Sequence, residues 1–207
     1  MAASKTAICQ RALARLGCTT NLADMDTDAS QEAKLCRIFY NDAVATAIQE
    51  FDWPFAKRSV GLAVSETGLT GQWLSHYAYP NDALRVIDIY PTDSSAAAGF
   101  PFSQNVNYSQ FEIVGGTSGK FIASFYDVPI TCDYIKLEMN TQLYPAIFED
   151  ALVYKLAADL ALGLNKSMDL AKSMSNAYLT VMGKAKANQK NENNYRYNAN
   201  VISDRAL

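Results

Sequence analysis

The spacing of apolar residues changes twice along the chain, and each change predicts a different kind of secondary structure. Up to Phe51, apolar residues recur every three or four positions, a pattern typical of amphipathic helices. Ser4 is the expected N-cap of a first helix that ends at Gly17. Ser30 or Asp28 is expected to cap a second helix. The predicted apolar stripe of that second helix consists of Leu35, Ile38, Phe39, Ala45, Ile48 and Phe51.

An aromatic cluster around a proline marks the first change of pattern, and its members are Phe51, Trp53, Pro54 and Phe55. Proline fixes its own φ and disfavours a helical conformation at the preceding residue, so the second helix is expected to stop at Trp53. We expect the aromatic rings to pack between that helix and the strands that follow, as a structural hinge. An aromatic ligand-binding site is the alternative interpretation.

From Lys57 onward, apolar residues alternate with polar ones, which indicates strands. About six strands are predicted, at residues 59–64, 73–79, 84–90, 110–114, 120–125 and 132–139. The segments between them are too short for crossover helices, so the sheet is expected to be antiparallel. The small residues of Asp93–Phe102 predict a protruding loop, with Phe100 and Phe102 as its apolar tip.

A helical pattern returns at Pro145, a residue suited to the first turn of a helix. The helix predicted from Ile147 to Leu164 carries so few charges that it should lie at the centre of a bundle or be shared with another subunit. A fourth helix is expected to end by Asn188, and the asparagine-rich residues 189–207 are expected to be disordered in isolation. The residues of this arm that are suited to contact a partner are Tyr195, Arg196, Tyr197, Val201, Ile202 and Arg205.

The order of helices, then strands, then helices predicts an α+β fold in which the two terminal parts meet to bury their apolar stripes. The expected architecture is a helical bundle of residues 1–56 and 145–188, with an inserted antiparallel β domain of residues 57–144. Residues 189–207 are predicted to form an extended, flexible C-terminal arm.

The charge of the chain is unevenly distributed. Residues 1–164 hold 11 Lys/Arg and 18 Asp/Glu, a net charge of −7, whereas residues 165–207 hold 7 and 3, a net charge of +4. A basic tail on an acidic body is typical of an interaction segment, and it disfavours a DNA-binding module, which needs basic residues on a folded surface. No apolar run is long enough for a membrane span, and the first residues lack the apolar core of a signal peptide.

Few residues are suited to catalysis. The only histidine, His76, lies in a predicted strand and is expected to be structural, and Cys132 has no histidine near it in the sequence. The four cysteines form no C-x-x-C pair, so reduced thiols are expected and structural zinc is not. The glycine-rich run at residues 115–120 lacks the spacing and the Ser/Thr of a phosphate-binding loop, so a hairpin turn is expected.

Two pairs of carboxylates, Glu149–Asp150 and Glu50–Asp52, are the remaining catalytic candidates. Such pairs serve glycoside hydrolysis when they face each other across a sugar-sized cleft, but charge at a helix N-terminus explains the first pair equally well. The acidic loop before the second helix lacks the glycine and the distal glutamate of a calcium loop. The sequence therefore predicts no catalytic, metal-binding or cofactor-binding residue.

Four stretches carry a resemblance to a known family: the helix of residues 8–16 ending in Leu-Gly, Phe51–Arg58, Tyr77–Val86 and Phe148–Leu152 with its Leu- and Ala-rich continuation. Together they lie within residues 4 to 187 and resemble the head-to-tail adaptor proteins of short-tailed bacteriophages, called tail tubular protein A or head completion protein. The family's usual cysteine after the Pro-x-Asp motif is Ala83 here.

This resemblance implies a structural virion protein without enzymatic activity or cofactor, made in the host cytoplasm and located in the neck of the virion. Twelve copies would form a ring that docks on the portal protein, continues the DNA channel and provides the platform for the tail nozzle. We expect Tyr195, Arg196, Tyr197, Val201, Ile202 and Arg205 to bind the portal, and Phe100 and Phe102 to bind the nozzle. DNA would pass without specific binding, and no membrane is involved. A cell-wall glycan hydrolase of the phage tail is the alternative function.

Overall fold

The computed structural model describes residues 4–67, 73–92, 111–116 and 119–197. Within these ranges the fold is mixed α+β, with four α-helices and two antiparallel sheets. The chain divides into two compact units. The first joins the N-terminal residues up to Phe51 with those from Met139 onward, and the second comprises Asp52–Glu138.

The first two helices are capped as the sequence predicts. Helix α1 spans Lys5–Arg15, and the Ala7 N–H donates to Ser4 Oγ at 3.1 Å. Helix α2 spans Gln31–Gln49 and has Ser30 as its N-cap. Gly17 has a φ of +72°, which places it in the left-handed region where glycine carries no steric penalty. This conformation ends α1 with the hydrogen bonds of a Schellman motif.

The predicted apolar stripe of α2 is right only in part. Ile48 is buried as predicted, whereas Ile38 is 62% exposed. The buried residues of α2 are Ala33, Cys36, Tyr40, Ala43, Val44, Ala47 and Ile48. Most of these side chains are small, and small side chains allow neighbouring helices to approach closely. Leu35, which the prediction included, lies at such an approach, since a Cβ on Gly163 would lie 3.2 Å from Leu35 Cδ1. Weighting the stripe by large apolar residues therefore missed most of the small buried ones.

Helix α3, Ala146–Gly163, is the central element of the helical unit and contacts α1, α2 and α4. It starts one residue after Pro145, which occupies the N-cap rather than the first turn. Its buried residues lie around most of its circumference: Phe148, Glu149, Ala151, Leu152, Val153, Leu156, Ala157, Leu160 and Ala161. Packing against the other helices of the same chain therefore accounts for the small number of charges on α3. This agrees with the first predicted alternative, a helix at the centre of a bundle, rather than one shared with another subunit.

Helix α4 spans Met168–Tyr197, so the helix does not end at Asn188 as predicted. That the arm is disordered in isolation stays a prediction, and residues 198–207 lie outside the described ones. An established helix is extended more easily than it is nucleated, because each further residue whose backbone is fixed gains a hydrogen bond. Asn165, with a φ of +54°, forms the turn between α3 and α4.

Seven strands are present in the described part of the second unit, where about six were predicted. They are β1 Lys57–Leu62, β2 Val64–Thr67, β3 Ser75–Ala78, β4 Ala83–Pro91, β5 Phe111–Gly116, β6 Gly119–Ser124 and β7 Ile130–Lys136. The single sheet expected from the sequence is two sheets, ordered β1-β7-β4 and β2-β3-β6-β5, both antiparallel. The predicted strand at residues 59–64 is broken at Ala63, where the chain passes from one sheet to the other.

Both sheets contribute to one hydrophobic core. Tyr77 and Ile122 come from the four-stranded sheet, and Ile89 and Cys132 come from the three-stranded sheet. The buried Tyr77 hydroxyl lies 2.7 Å from the carbonyl oxygen of Tyr126 and 2.8 Å from that of Val128, and its one proton is shared between these two acceptors. These contacts make the second unit a packed two-sheet structure rather than a single open sheet.

The aromatic hinge residues lie at the end of α2 and the start of β1. Helix α2 ends at Gln49, before the predicted stop at Trp53, and Pro54 begins a 3-10 turn, Pro54–Ala56. Trp53 is 2% exposed, and its ring centroid lies 5.9 Å from that of Phe55. Phe51 and Phe55 are half-buried and Pro54 is exposed. That these rings couple the helical part to the strands stays a prediction.

Trp53→Ala should destabilise the protein by about 3–5 kcal/mol, because it removes a large buried side chain and leaves a cavity. At this chain length each kcal/mol lowers the thermal midpoint by roughly 2–4 °C. Leu179→Ala is the control, since Leu179 is 62% exposed and its truncation should change stability by less than about 0.5 kcal/mol. Calorimetry of both variants checks the prediction, and an unchanged midpoint for Trp53→Ala would contradict it.

Candidate functional site

The Glu149–Asp150 pair at the start of α3 is held by one arginine of α1. Arg11 Nη1 lies 3.2 Å from Glu149 Oε2, and Arg11 Nη2 lies 2.5 Å from Asp150 Oδ1. Glu149 is only 8% exposed, so its charge requires this partner. The two carboxylates therefore tie α3 to α1 through ion pairs rather than facing an open cleft.

The second candidate pair, Glu50 and Asp52, is also engaged in contacts. The Tyr178 hydroxyl donates to Glu50 Oε2 at 2.8 Å, and burial together with this hydrogen bond raises the pKa of Tyr178. Asp52 forms an ion pair with Arg85. The two carboxylates belong to different units of the chain. Each of the four candidate carboxylates thus has a structural contact of its own.

A polar cluster that sequence reasoning missed surrounds Asp133 of β7, whose Cα pairs with that of Ser59 in β1. Its carboxylate accepts a hydrogen bond from Ser59 Oγ at 2.5 Å and lies 3.2 Å from Lys57 Nζ. Burial acts to raise the pKa of Asp133, but the hydrogen bonds from Ser59 and Lys57 outweigh it and hold that pKa below its ordinary value. Only the antiparallel register brings these residues together, which is why the sequence pattern did not reveal them.

The geometry does not assemble a nucleophilic triad from these groups. His76 lies in β3, in the other sheet from Ser59 and Asp133, and stacks on Phe121 with ring centroids 5.8 Å apart. Burial raises the pKa of Cys132 to about 12, so this thiol is protonated at neutral pH and a poor nucleophile. That His76 is structural stays a prediction.

The four cysteines are free thiols. Cys9 donates a hydrogen bond to Met25 Sδ at 3.2 Å, and contact between the Cys9 and Cys36 thiols raises the pKa of Cys9 and lowers that of Cys36. In the described residues no group of three or more His, Cys, Asp or Glu side chains could hold a metal ion.

The glycine-rich run is a hairpin connection, as predicted. Strands β5 and β6 pair antiparallel up to Gly116 and Gly119, and residues 117–118 between them lie outside the described ranges. A Cβ on Gly116 would lie 2.7 Å from a ring carbon of Phe121, so the close packing of this ring requires glycine. A turn between two strands also lacks the helix N-terminus that a phosphate-binding loop needs.

Two open grooves are present on the described surface. One, of about 410 Å³, lies between the start of β4 and β6 and is lined by Tyr79, Asn81 and Lys120 among others. The second, of about 390 Å³, lies between α3 and α4. Two large apolar side chains on this second groove, Leu162 and Met168, are 55% and 54% exposed. Exposure of large apolar side chains at a concave site is a feature of docking surfaces.

The predicted partner-binding residues are only partly within the described structure. Tyr195, Arg196 and Tyr197 form the last turn of α4, of which the structure describes the backbone. Phe100, Phe102, Val201, Ile202 and Arg205 lie outside the described residues. The proposed portal and nozzle contacts therefore stay predictions.

No protein-family model matches this chain, and no curated protein matches it in sequence. The resemblance to phage adaptor proteins consequently rests on the sequence motifs alone. Among the described helices, none combines the length and the apolar character needed to cross a membrane.

Arg11→Met should destabilise the protein by about 1–3 kcal/mol, because it leaves the nearly buried Glu149 without its cation. Adding Glu149→Gln to that variant should recover part of the loss, since a neutral amide is less unfavourable to bury than an unpaired carboxylate. Lys155→Met is the control: its i,i+4 pair with Asp159 is worth at most about 0.5 kcal/mol. Urea unfolding of the variants measures these differences, and equal effects of Arg11→Met and Lys155→Met would refute the structural role.

Proposed function

We propose that the protein is a structural adaptor subunit of a phage neck, which forms a ring on the portal and provides the platform for the tail nozzle. The observation that supports this most directly is the length of α4. Ala185 is buried and residues 186–188 are exposed, while the helix backbone continues to Tyr197. Isolated helical segments are marginal in water, so a partner that packs against residues 189–197 would stabilise this end of the helix.

The charge distribution fits the same role. The acidic first 164 residues, with a net charge of −7, avoid holding the phosphates of passing DNA, which basic residues in a channel would retain. The basic region that begins at Asn165 includes the end of α4 and has a net charge of +4. Tyr195, Arg196, Tyr197, Val201, Ile202 and Arg205 supply the aromatic, apolar and cationic groups that are enriched at protein interfaces. The arm contacts the portal and neighbouring adaptor copies together.

We also propose the finer arrangement that the order of helices and strands predicts, a helical bundle from the two ends of the chain with a β domain inserted between them. The support is that the N-terminal residues share one compact unit with those from Met139 onward, while Asp52–Glu138 form a separate unit. In this proposal the arm that follows the helical unit contacts the portal, and Phe100 and Phe102, within the inserted segment, contact the nozzle.

The glycan-hydrolase alternative has weaker support. Its candidate carboxylates are engaged with Arg11, Tyr178 and Arg85. Among the described carboxyl groups, hydrogen bonds lower the pKa of Asp28 and of Asp133. A general acid for glycoside hydrolysis needs a raised pKa.

Deleting residues 189–207 should leave the thermal midpoint almost unchanged and abolish ring formation on the portal. The deletion lies beyond Ala185, so it removes no residue known to pack against the helical unit. Sedimentation velocity of the full-length and truncated proteins, each with and without the cognate portal, is the measurement. Full-length protein should be largely monomeric alone and ring-forming with portal. Undiminished ring assembly by the truncated protein would overturn the role of the arm.

Replacing both Phe100 and Phe102 with Ser should leave stability nearly intact and impair attachment of the nozzle protein to preformed portal–adaptor rings. The reason is that an apolar loop tip contributes to a partner interface rather than to the chain's own core. Pull-down of the nozzle measures the effect, with Tyr90→Ser, at an exposed aromatic residue of the β unit, as the control. A double variant that fails to fold would show that the two phenylalanines belong to the core.

A further inference from the structure

The groove between α3 and α4 has the chemistry of a small peptide-docking site. Leu162 of α3 and Met168 of α4 supply exposed apolar surface, and Ala158 and Ala171 line the groove between them. Its volume of about 390 Å³ lies at the lower end of the range of ligand-binding pockets. Exposed Lys172 adds a cationic group beside the apolar floor.

A complementary segment follows α4 in the same chain. Residues 198–207 contain two apolar pairs, Val201–Ile202 and Ala206–Leu207, and the charged pair Asp204–Arg205 lies between them. Two branched apolar side chains match the apolar floor of the groove, and Asp204 is opposite in charge to Lys172. Asp159, which lines the groove and forms an ion pair with Lys155, offers a carboxylate to Arg205.

The segment of one copy cannot reach the groove of the same copy. The groove residue nearest to Tyr197 along α4 is Asn176, about 31 Å away at 1.5 Å per residue. Val201 follows Tyr197 by four residues, which span at most about 14 Å when fully extended. The occupant of the groove, if it is this segment, must therefore come from a second copy.

We propose that Val201 and Ile202 of one copy dock in the α3–α4 groove of a neighbouring copy, an inference that rests on the adaptor ring proposed above. The groove and the segment are different surfaces, so the contact is heterologous, and such contacts close into rings when the rotation between copies permits. Each copy offers one groove and one segment. Tyr195–Tyr197 are then the part of the arm that remains for the portal.

Binding of a synthetic peptide tests the proposal without portal or ring. The peptide carries residues 198–207 and a fluorophore, and the receptor is the full chain with Val201→Ser and Ile202→Ser, so that its own segment does not compete. Fluorescence anisotropy should show saturable 1:1 binding. Adding Leu162→Ser and Met168→Ser to the receptor should weaken binding at least tenfold. A peptide with Val201→Ser and Ile202→Ser should not bind.

Leu179→Ser is the matched control, because Leu179 is an exposed apolar residue of α4 that does not line the groove. Ser175→Trp is a second groove variant, which fills an exposed position without removing a core contact and should also block the peptide. Absence of peptide binding, or equal binding by the Ser175→Trp and Leu179→Ser receptors, would overturn the proposal. Peptide binding without ring formation on the portal would instead refute the adaptor role and leave the groove contact standing.

Discussion

The burial of α3 is the constraint on which the helical unit depends. Its surface is apolar on nearly every side, and α1, α2 and α4 each cover part of it. The single nearly buried charge at its start, Glu149, is accommodated because Arg11 of α1 pairs with it at 3.2 Å. Because the other three helices pack against this one element, the phase of their buried faces is set by where they meet α3.

Helix caps and turns, which depend on local interactions, are the features of this fold that the sequence predicts well. Ser4, Ser30 and Gly17 act through hydrogen bonds or backbone angles within a few residues, so their roles can be inferred without knowing any partner. The hairpin at Gly116–Gly119 follows from the same kind of local signal. Features that depend on contacts between residues far apart in sequence were predicted less well.

The errors share one physical origin: each concerns which residues, far apart in sequence, pack or pair with one another. The phase of α2 is set by small residues such as Ala43 that fit against a neighbour, and hydrophobicity alone does not register that fit. The division into two sheets depends on β1 pairing with β7 rather than with β2. The Asp133 cluster, likewise, exists only because this register places Ser59 opposite Asp133.

The end of α4 links the physics of the fold to the proposed function. A packed helix is stabilised chiefly by its buried face, and on α4 the buried residues include Tyr178, Met182 and Ala185, whereas residues 186–188 are exposed. The helical backbone continues to Tyr197 and so orders the chain at residues 195–197 before any partner binds. Partial pre-ordering of this kind makes binding less unfavourable than ordering a flexible arm would be. The end of α4 is therefore suited to the assembly role that we propose.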